Sequence, residues 1–322
     1  MTPTGGMRVV VALGGNALTG PDGDASPAAQ QAAVELAMER VAELVAAGCE
    51  VVLTHGNGPQ VGNLLTKNEL AARVVPPVPL DWCVAQTQAT IGFLVVTALE
   101  RSLAARGLAR PVAATVSRVL VDSADPAWRL PTKPIGRYVT EAEAREHTAR
   151  GQTWEARGPR GWRRVVPSPE PRELLDREVV LALVDRGVVV VAAGGGGIPM
   201  VAEGGRLRAV EAVLDKDLSA ALLAATVRAE CLVIATDVEH AATGWGTPEQ
   251  RPVGRVDPAG LRALAAAGHF ASGSMGPKVE AAARFVEGGG RRAVITSLDR
   301  IAAAPAGAAG TVVEPAPARR AR

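Results

Sequence analysis

The chain predicts an α/β fold built on a mostly parallel sheet covered by helices on both faces. Three observations carry this. Short valine-rich runs alternate with helical stretches along most of the 322 residues, and glycine-rich loops follow several of those runs. One segment, 122–170, breaks the rhythm. Strands that alternate with helices need crossover connections, which make neighbouring strands parallel and put helices on both sides of them.

Residues 7–13 form the first run, too short for a buried helix and rich in valine, and predict a central strand ending at Gly14-Gly15. Ser26 then caps a helix, Pro27 suits its first turn, Val34, Met38, Val41 and Val45 recur on one side, and Gly48 stops it. A strand follows at 51–54, a helix at about 81–106, strands near 111–115 and 118–121, a helix at about 171–186 and a strand at 188–193. Gly204-Gly205 divides 201–210 into a hairpin. Helix, strand and helix recur at about 218–226, 231–236 and 258–267, and a last helix and strand at 277–287 and 292–296. Segment 122–170 holds Trp128, Tyr138, Trp154 and Trp162, four of the six tryptophans and tyrosines, and predicts an inserted subdomain with a small core. Only the ends, 1–6 and 315–322, read as loose.

Composition narrows the function. Lysine and arginine number 35 against 33 acids, a net charge of +2, which argues against nucleic acid or an anionic membrane as partner. Cys49, Cys83 and Cys231 have neither disulfide-framework nor zinc spacing, and a reducing cytoplasm is the expected compartment. Cys83 and Cys231, in apolar surroundings, read as core residues. No apolar run of about 18 residues marks a membrane span, and residues 1–8 lack the layout of a secretory leader.

Four loops are rich in glycine: Gly14-Gly15-Asn16, Gly56-Asn57-Gly58, Gly194 to Gly197, and Gly273-Ser274-Met275-Gly276-Pro277-Lys278. Each alone reads as a tight turn. Together, at the ends of parallel strands, they suggest a phosphate site, because glycine lets backbone N–H groups approach an anion and helix N-termini attract it. The dinucleotide fingerprint and the P-loop are both missing, which disfavours a Rossmann dehydrogenase or a Walker-type ATPase.

The chain has four lysines, Lys67, Lys133, Lys216 and Lys278. Lys67 reads as a solvated surface residue. Lys278 opens a helix, where a cation opposes the dipole unless an anion offsets it; a solvated lysine is the plain alternative. Lys216 stands between Asp215 and Asp217, and a capping Asp215 with an exposed neighbour explains that pattern equally well. Phosphoryl transfer needs alignment and positive charge on the equatorial and leaving oxygens, and lysines supply it; an aspartate between them would hold their ammonium groups.

The ordered set of 9–18, 54–62, 131–136 (Pro-Thr-Lys-Pro-Ile-Gly), 163–169, 194–199, 211–217 (Glu-Ala-Val-Leu-Asp-Lys-Asp), 236–238 and 273–282 resembles the carbamate kinases of the amino acid kinase family, over nearly the whole chain. The resemblance implies an open three-layer αβα sandwich with a small protruding subdomain at 122–170, one domain over 1–322, a carbamate-binding lobe at 7–200 and a nucleotide-binding lobe at 201–314. It implies a homodimer that passes phosphate between ATP and carbamate with Mg²⁺, giving ADP and carbamoyl phosphate. Related kinases place a lysine where this chain has Ala12, and Lys133 matches the residue that replaces it. By the same carry-over Lys216 and Lys278 stabilise the transferring group, Asp217 orients the lysines, and Gly14, Gly15, Asn16, Gly56 and Asn57 line the carbamate and phosphoryl site. Asp237, Trp245, Met275 and Gly276 join Lys216 and Lys278 around the nucleotide, with Trp245 either stacked on adenine or a buried wedge.

No residue is assigned as a metal ligand, since Mg²⁺ is held mainly by nucleotide phosphates and water. His55 reads as a structural hydrogen-bonding residue, because carbamate is already an anionic nucleophile. His147, His240 and His269 share no metal spacing and read as loop or surface residues. Arg137 and Tyr138 depart from the family, which often has proline and phenylalanine there. Two alternatives remain: a relative acting on another small carboxylate or phosphate, opposed by Ala12 with Lys133, and a regulatory binder without turnover, opposed by the retention of Lys133, Lys216, Asp217 and Lys278.

Overall fold

A computed structural model describes residues 6–20, 23–271 and 273–316. The ends expected to be loose therefore lie mostly outside the described residues.

The first half runs β1 (Arg8–Leu13), α1 (Pro27–Ala46), β2 (Glu50–His55), α2 (Gly58–Ala71), α3 (Leu80–Ala104), β3 (Val112–Ala114) and β4 (Arg118–Leu120). A small unit follows: β5 (Lys133–Val139), α4 (Glu141–Thr148), β6 (Thr153–Ala156) and β7 (Trp162–Val166). The chain returns through β8 (Glu173–Leu174), α5 (Arg177–Val184), β9 (Val189–Val191), the hairpin β10 (Ile198–Glu203) and β11 (Arg206–Ala209), α6 (Lys216–Thr226) and β12 (Cys231–Thr236). It finishes with β13 (Ala242–Thr243), β14 (Arg251–Pro252), β15 (Arg255–Val256), α7 (Pro258–Ala266), α8 (Met275–Glu287), β16 (Arg292–Ser297) and β17 (Thr311–Val313).

The main sheet has the order β15-β17-β16-β12-β1-β2-β9-β3. From β16 to β3 every pairing is parallel. Strand β17 runs antiparallel to β16, and β15 runs with β17. The central β1 shows why the fold has three layers. Val10 and Ala12 enter one core with residues of α5, α6, α7 and α8, while Val9, Val11 and Leu13 enter another with α1, α3 and the turn at 298–306. Side chains alternate across a strand, so one valine-rich run serves both faces.

Three expectations need correction. The helix expected over 171–186 is shorter, because Arg172 and Leu175 donate backbone hydrogen bonds to Leu120 and Arg118, which spends 173–174 as strand β8 on β4. The closing strand β17 was not anticipated; it follows an alanine-rich turn with little periodicity. And α3 is, by length and composition, apolar enough for a membrane span: 25 residues with a best-window mean hydropathy of 1.4. It nevertheless packs Ile91, Val95, Leu99 and Leu103 into the core under α1.

The small unit pairs β5, β7 and β6 antiparallel. Helix α4 starts at a capping box, in which the Thr140 hydroxyl accepts from the Glu143 N–H and the Glu143 carboxylate accepts from Thr140. Its core is Val139, Ala144 and Trp154, backed by Trp162. Trp128 packs instead on the main core, and Tyr138 stays outside both. Ile135 of β5 packs with Val61, Leu65, Leu80 and Val84 of α2 and α3, footing the unit on the body. There the backbones run close: a Cβ on Gly62 would lie 3.5 Å from the Gly136 Cα.

Leu99 is fully buried between α3 and the sheet. Truncation removes its contacts and leaves a cavity, so Leu99→Ala lowers stability by about 2–5 kcal/mol, read as a fall in the urea midpoint. An unchanged midpoint would show that this helix does not anchor the layer.

Candidate active site

The loops after β1, β2 and β9 meet at the carboxyl edge of the sheet, where an open α/β sheet leaves room for a ligand. After β1, Ala17 and Leu18 donate to the carbonyls of Gly14 and Gly15 and wind a tight turn at Asn16–Leu18. The Gly56 N–H donates to Leu13 O at 3.0 Å, and a Cβ on Gly56 would lie 3.0 Å from Gly15 N and 3.2 Å from the Lys216 Cδ. A side chain at 56 would press the two loops and the lysine stem apart. After β9, Ala193 takes the left-handed conformation (φ 52°), held by Thr54 Oγ1 donating to its carbonyl and by Ser117 Oγ accepting its N–H. Gly195 also has positive φ, and a Cβ there would sit 2.1 Å from Asn57 Nδ2. Gly194 is squeezed likewise against His55.

A buried polar frame braces these loops. Asn57 Nδ2 donates to Thr87 Oγ1 at 2.9 Å, and Thr87 donates on to Val84 O. Gln88 donates to the Gly194 and Ser117 carbonyls and accepts from the Ser117 N–H. Ser219 Oγ donates to Gly196 O and ties α6 to the same loop.

The charged centre sits at the N-terminus of α6. Lys216 Nζ lies 2.5 Å from Asp217 Oδ1 and Lys278 Nζ 3.1 Å from Asp217 Oδ2, so one carboxylate, 3% exposed, holds two ammonium groups. Burial pushes the Asp217 carboxyl up, but the charges of Lys216 and Lys278 outweigh it and hold the acid below its ordinary value. Asp217 thereby supplies the anion that Lys278 needs in the first turns of α8. Lys133 arrives from β5 and takes a different partner, Asp215 Oδ2, at 2.9 Å. The other Asp215 oxygen caps α6, accepting from the Asp217 and Leu218 N–H groups. The capping role expected for Asp215 is thus present, and so is a second one. Asp217 orients two lysines, and Asp215 the third.

Beside this centre opens a cavity of about 370 Å³. Gly14, Gly15, Lys216 and Lys278 line it together with Asp237, Trp245, His269, Phe270 and Met275. Trp245 is 60% exposed, which overturns the buried wedge. Gly276 stands behind the wall, its N–H donating to Ala271 O. The Asn16 side chain lies outside the described residues. His269 lines the cavity although its sequence surroundings read as a loop, and Gln88, Ser117 and Asp215 carry no local signal of their part here. The Asp215 contact with Lys133 spans 82 positions.

His55 is 1% exposed and its Nδ1–H donates to Gly56 O at 3.0 Å. Burial pushes its pKa down to about 4, and the nearby Lys216 charge pushes the same way, so the ring is neutral at physiological pH. Among the described residues no cluster of three or more His, Cys, Asp or Glu could hold a metal ion.

A profile of the amino acid kinase family matches residues 7–297. The carbamate kinase of Thermococcus kodakarensis is 44% identical over 312 residues, 95% of this chain and 98% of that protein. That of Pyrococcus furiosus is 43% identical over 314 residues, 96% of this chain and all of that protein. Among solved structures, carbamate kinase from Giardia lamblia bound to AMP-PNP superposes with a TM-score of 0.92 at 39% identity, covering 97% of this chain and 99% of that one.

His55 makes stability depend on pH. Its folded pKa is depressed below the unfolded value of 6.5, so its contribution is complete above pH 6.5 and is lost as pH falls towards about 4. In His55→Gln the fall of the urea midpoint across that window is shallower than in the parent. An equal slope would assign the acid sensitivity to other groups.

Proposed function

The chain belongs to the amino acid kinase family, and from that premise we propose how its residues carry out the reversible transfer of a phosphoryl group between ATP and carbamate, giving ADP and carbamoyl phosphate. The observation that carries the assignment is the convergence of Lys133, Lys216 and Lys278, from three distant segments, on the neighbouring Asp215 and Asp217, with Lys216 and Lys278 also lining the cavity.

The nucleotide occupies the cavity lined mainly by lobe 201–314, with Asp237, Trp245 and Met275 around it and the adenine against the exposed Trp245. Carbamate sits in lobe 7–200 at Gly14, Gly15, Asn16, Gly56 and Asn57. A carbamate oxygen attacks the γ-phosphorus in line; the new O–P bond forms as the bond to the β-phosphate oxygen breaks, and ADP leaves. No proton moves at the reacting atoms, so no base is required, in keeping with a neutral His55 turned to a backbone carbonyl. The barrier falls because Lys216 and Lys278, fixed by Asp217, meet the charge spread over the equatorial and leaving oxygens. Lys133 adds a third charge from the subdomain 122–170 and leaves Asp215 for the substrate when it does so.

Mg²⁺ fits this site as a partner of the nucleotide. Asp217 already spends both oxygens on lysines, and a hard ion that keeps its waters needs little more than phosphate oxygens. Bound there, it neutralises phosphate charge. We further assign a homodimer acting in the cytoplasm: Trp82 and Phe93 of α3 are 59% and 66% exposed, an apolar face suited to a second copy, and the three cysteines are unpaired.

ATP formation from ADP, Mg²⁺ and fresh carbamoyl phosphate tests the reaction, with acetyl phosphate as the control donor. The parent forms ATP selectively from carbamoyl phosphate. Lys133→Ala, Lys216→Ala and Lys278→Ala each cut turnover by about 10²-fold or more with the fold intact. Near-parental turnover in any one removes that lysine from the mechanism. Asp215→Asn keeps a helix cap but loses the charge that holds Lys133, so kcat falls about tenfold or more while ADP affinity is kept. Light scattering on the eluting protein reads twice the chain mass; a monomer would refute the dimer.

A further inference from the structure

Among the charged surfaces outside the active site, one is built differently from a solvated face. On the small unit, Arg157, Arg160 and Arg163 with Tyr138 and Pro134 line an open cleft of about 480 Å³ that shares no residue with the nucleotide cavity. Arg163 stacks over the Tyr138 ring, 5.1 Å from its centroid, and donates from Nε to Gly136 O. Arg160 Nη1 lies 3.4 Å from the Tyr138 hydroxyl. Among the described residues the contacts of these two guanidinium groups are with neutral partners. Arg157 alone has a carboxylate, Glu155 Oε2 at 2.7 Å. Three cations facing one acid leave a net charge of +2 at the cleft.

Cations are normally interleaved with acids on this protein: Arg262, for example, spans Glu280 and Glu287, and Arg284 spans Glu170 and Glu280. The cleft departs from that pattern, and the neutral contacts hold its forks without consuming their charge. A planar carboxylate presents two oxygens to one fork, whereas a phosphoryl group presents oxygens in several directions and can meet several forks together. The Tyr138 hydroxyl completes the set as a donor; its hydrogen bond with Arg160 and the neighbouring charges lower its pKa and strengthen it as one.

We propose that this cleft is a second anion site, which binds a small phosphoryl-bearing anion on the subdomain, apart from the catalytic centre. Pro134 lines the cleft while its neighbour Lys133 reaches Asp215, so alternation along β5 sets the two sites on opposite faces of one strand. An anion held between β5 and β7 cross-links the pair of strands that delivers the lysine.

The test is calorimetric titration of inorganic pyrophosphate into full-length protein saturated with AMP-PNP, which blocks the nucleotide cavity, alongside the single variants Arg157→Ala and Arg160→Ala. Both positions are exposed and outside the catalytic machinery, and unchanged ATP formation confirms that the variants are folded. The proposal expects a binding isotherm in the parent, weakened tenfold or more in each variant. No binding in the parent, or equal binding in the variants, overturns it. Citrate is the second probe: binding of citrate in preference to pyrophosphate would overturn the assignment to phosphoryl groups.

Discussion

One buried carboxylate governs the arrangement of this protein. Asp217 is almost wholly withdrawn from water, and an isolated charge there would be strongly unfavourable. It is tolerable because two ammonium groups stand on its two oxygens. That requirement brings the start of α8 to the start of α6. Breaking one partner of such a buried set typically costs about 3–5 kcal/mol, because it strands the charge that remains. The same arrangement leaves two cations, already ordered and partly dehydrated, at the end of a cavity of nucleotide size. On the reading proposed above, the centre is held ready before substrate arrives, which is the condition under which electrostatic stabilisation works best.

Around that centre, small residues serve proximity more than flexibility. Gly56, Gly194 and Gly195 are spaces in which the Lys216 stem, His55 and Asn57 respectively fit. Gln88, Ser117 and Thr54 then supply the hydrogen bonds that this buried loop backbone demands. Rigid polar bracing and missing side chains are two halves of one device: close backbone approach without unpaired donors or acceptors.

Much of this was legible in the sequence, for local reasons. The parallel sheet was written in valine runs that are apolar on both faces, the helices in caps such as Ser26 and Asp215, and the loops in glycine. The four proposed site residues Lys133, Lys216, Asp217 and Lys278 stood out through ordered motifs and the scarcity of lysine. What stayed hidden depends on distant partners. Nothing near Asp215 says that its second oxygen is taken by a residue 82 positions away. Nothing around Gln88, inside an apolar helix, marks it as the brace of two loops. The Trp245 side chain was ambiguous because exposure is a property of the folded surface, and β8 and β17 were obscured because pairing, with little periodicity, made them strands.

The reversed direction of β17 has a practical side. Because it runs against β16, Val313 pairs with Ala293 near the amino end of that strand, at the opposite end of the strands from the loops that line the cavity. The described chain thus leaves the body on the face opposite its chemistry. A reporter domain or a solid support joined beyond residue 316 would hang from the back of the molecule and leave the mouth of the cavity open to solvent.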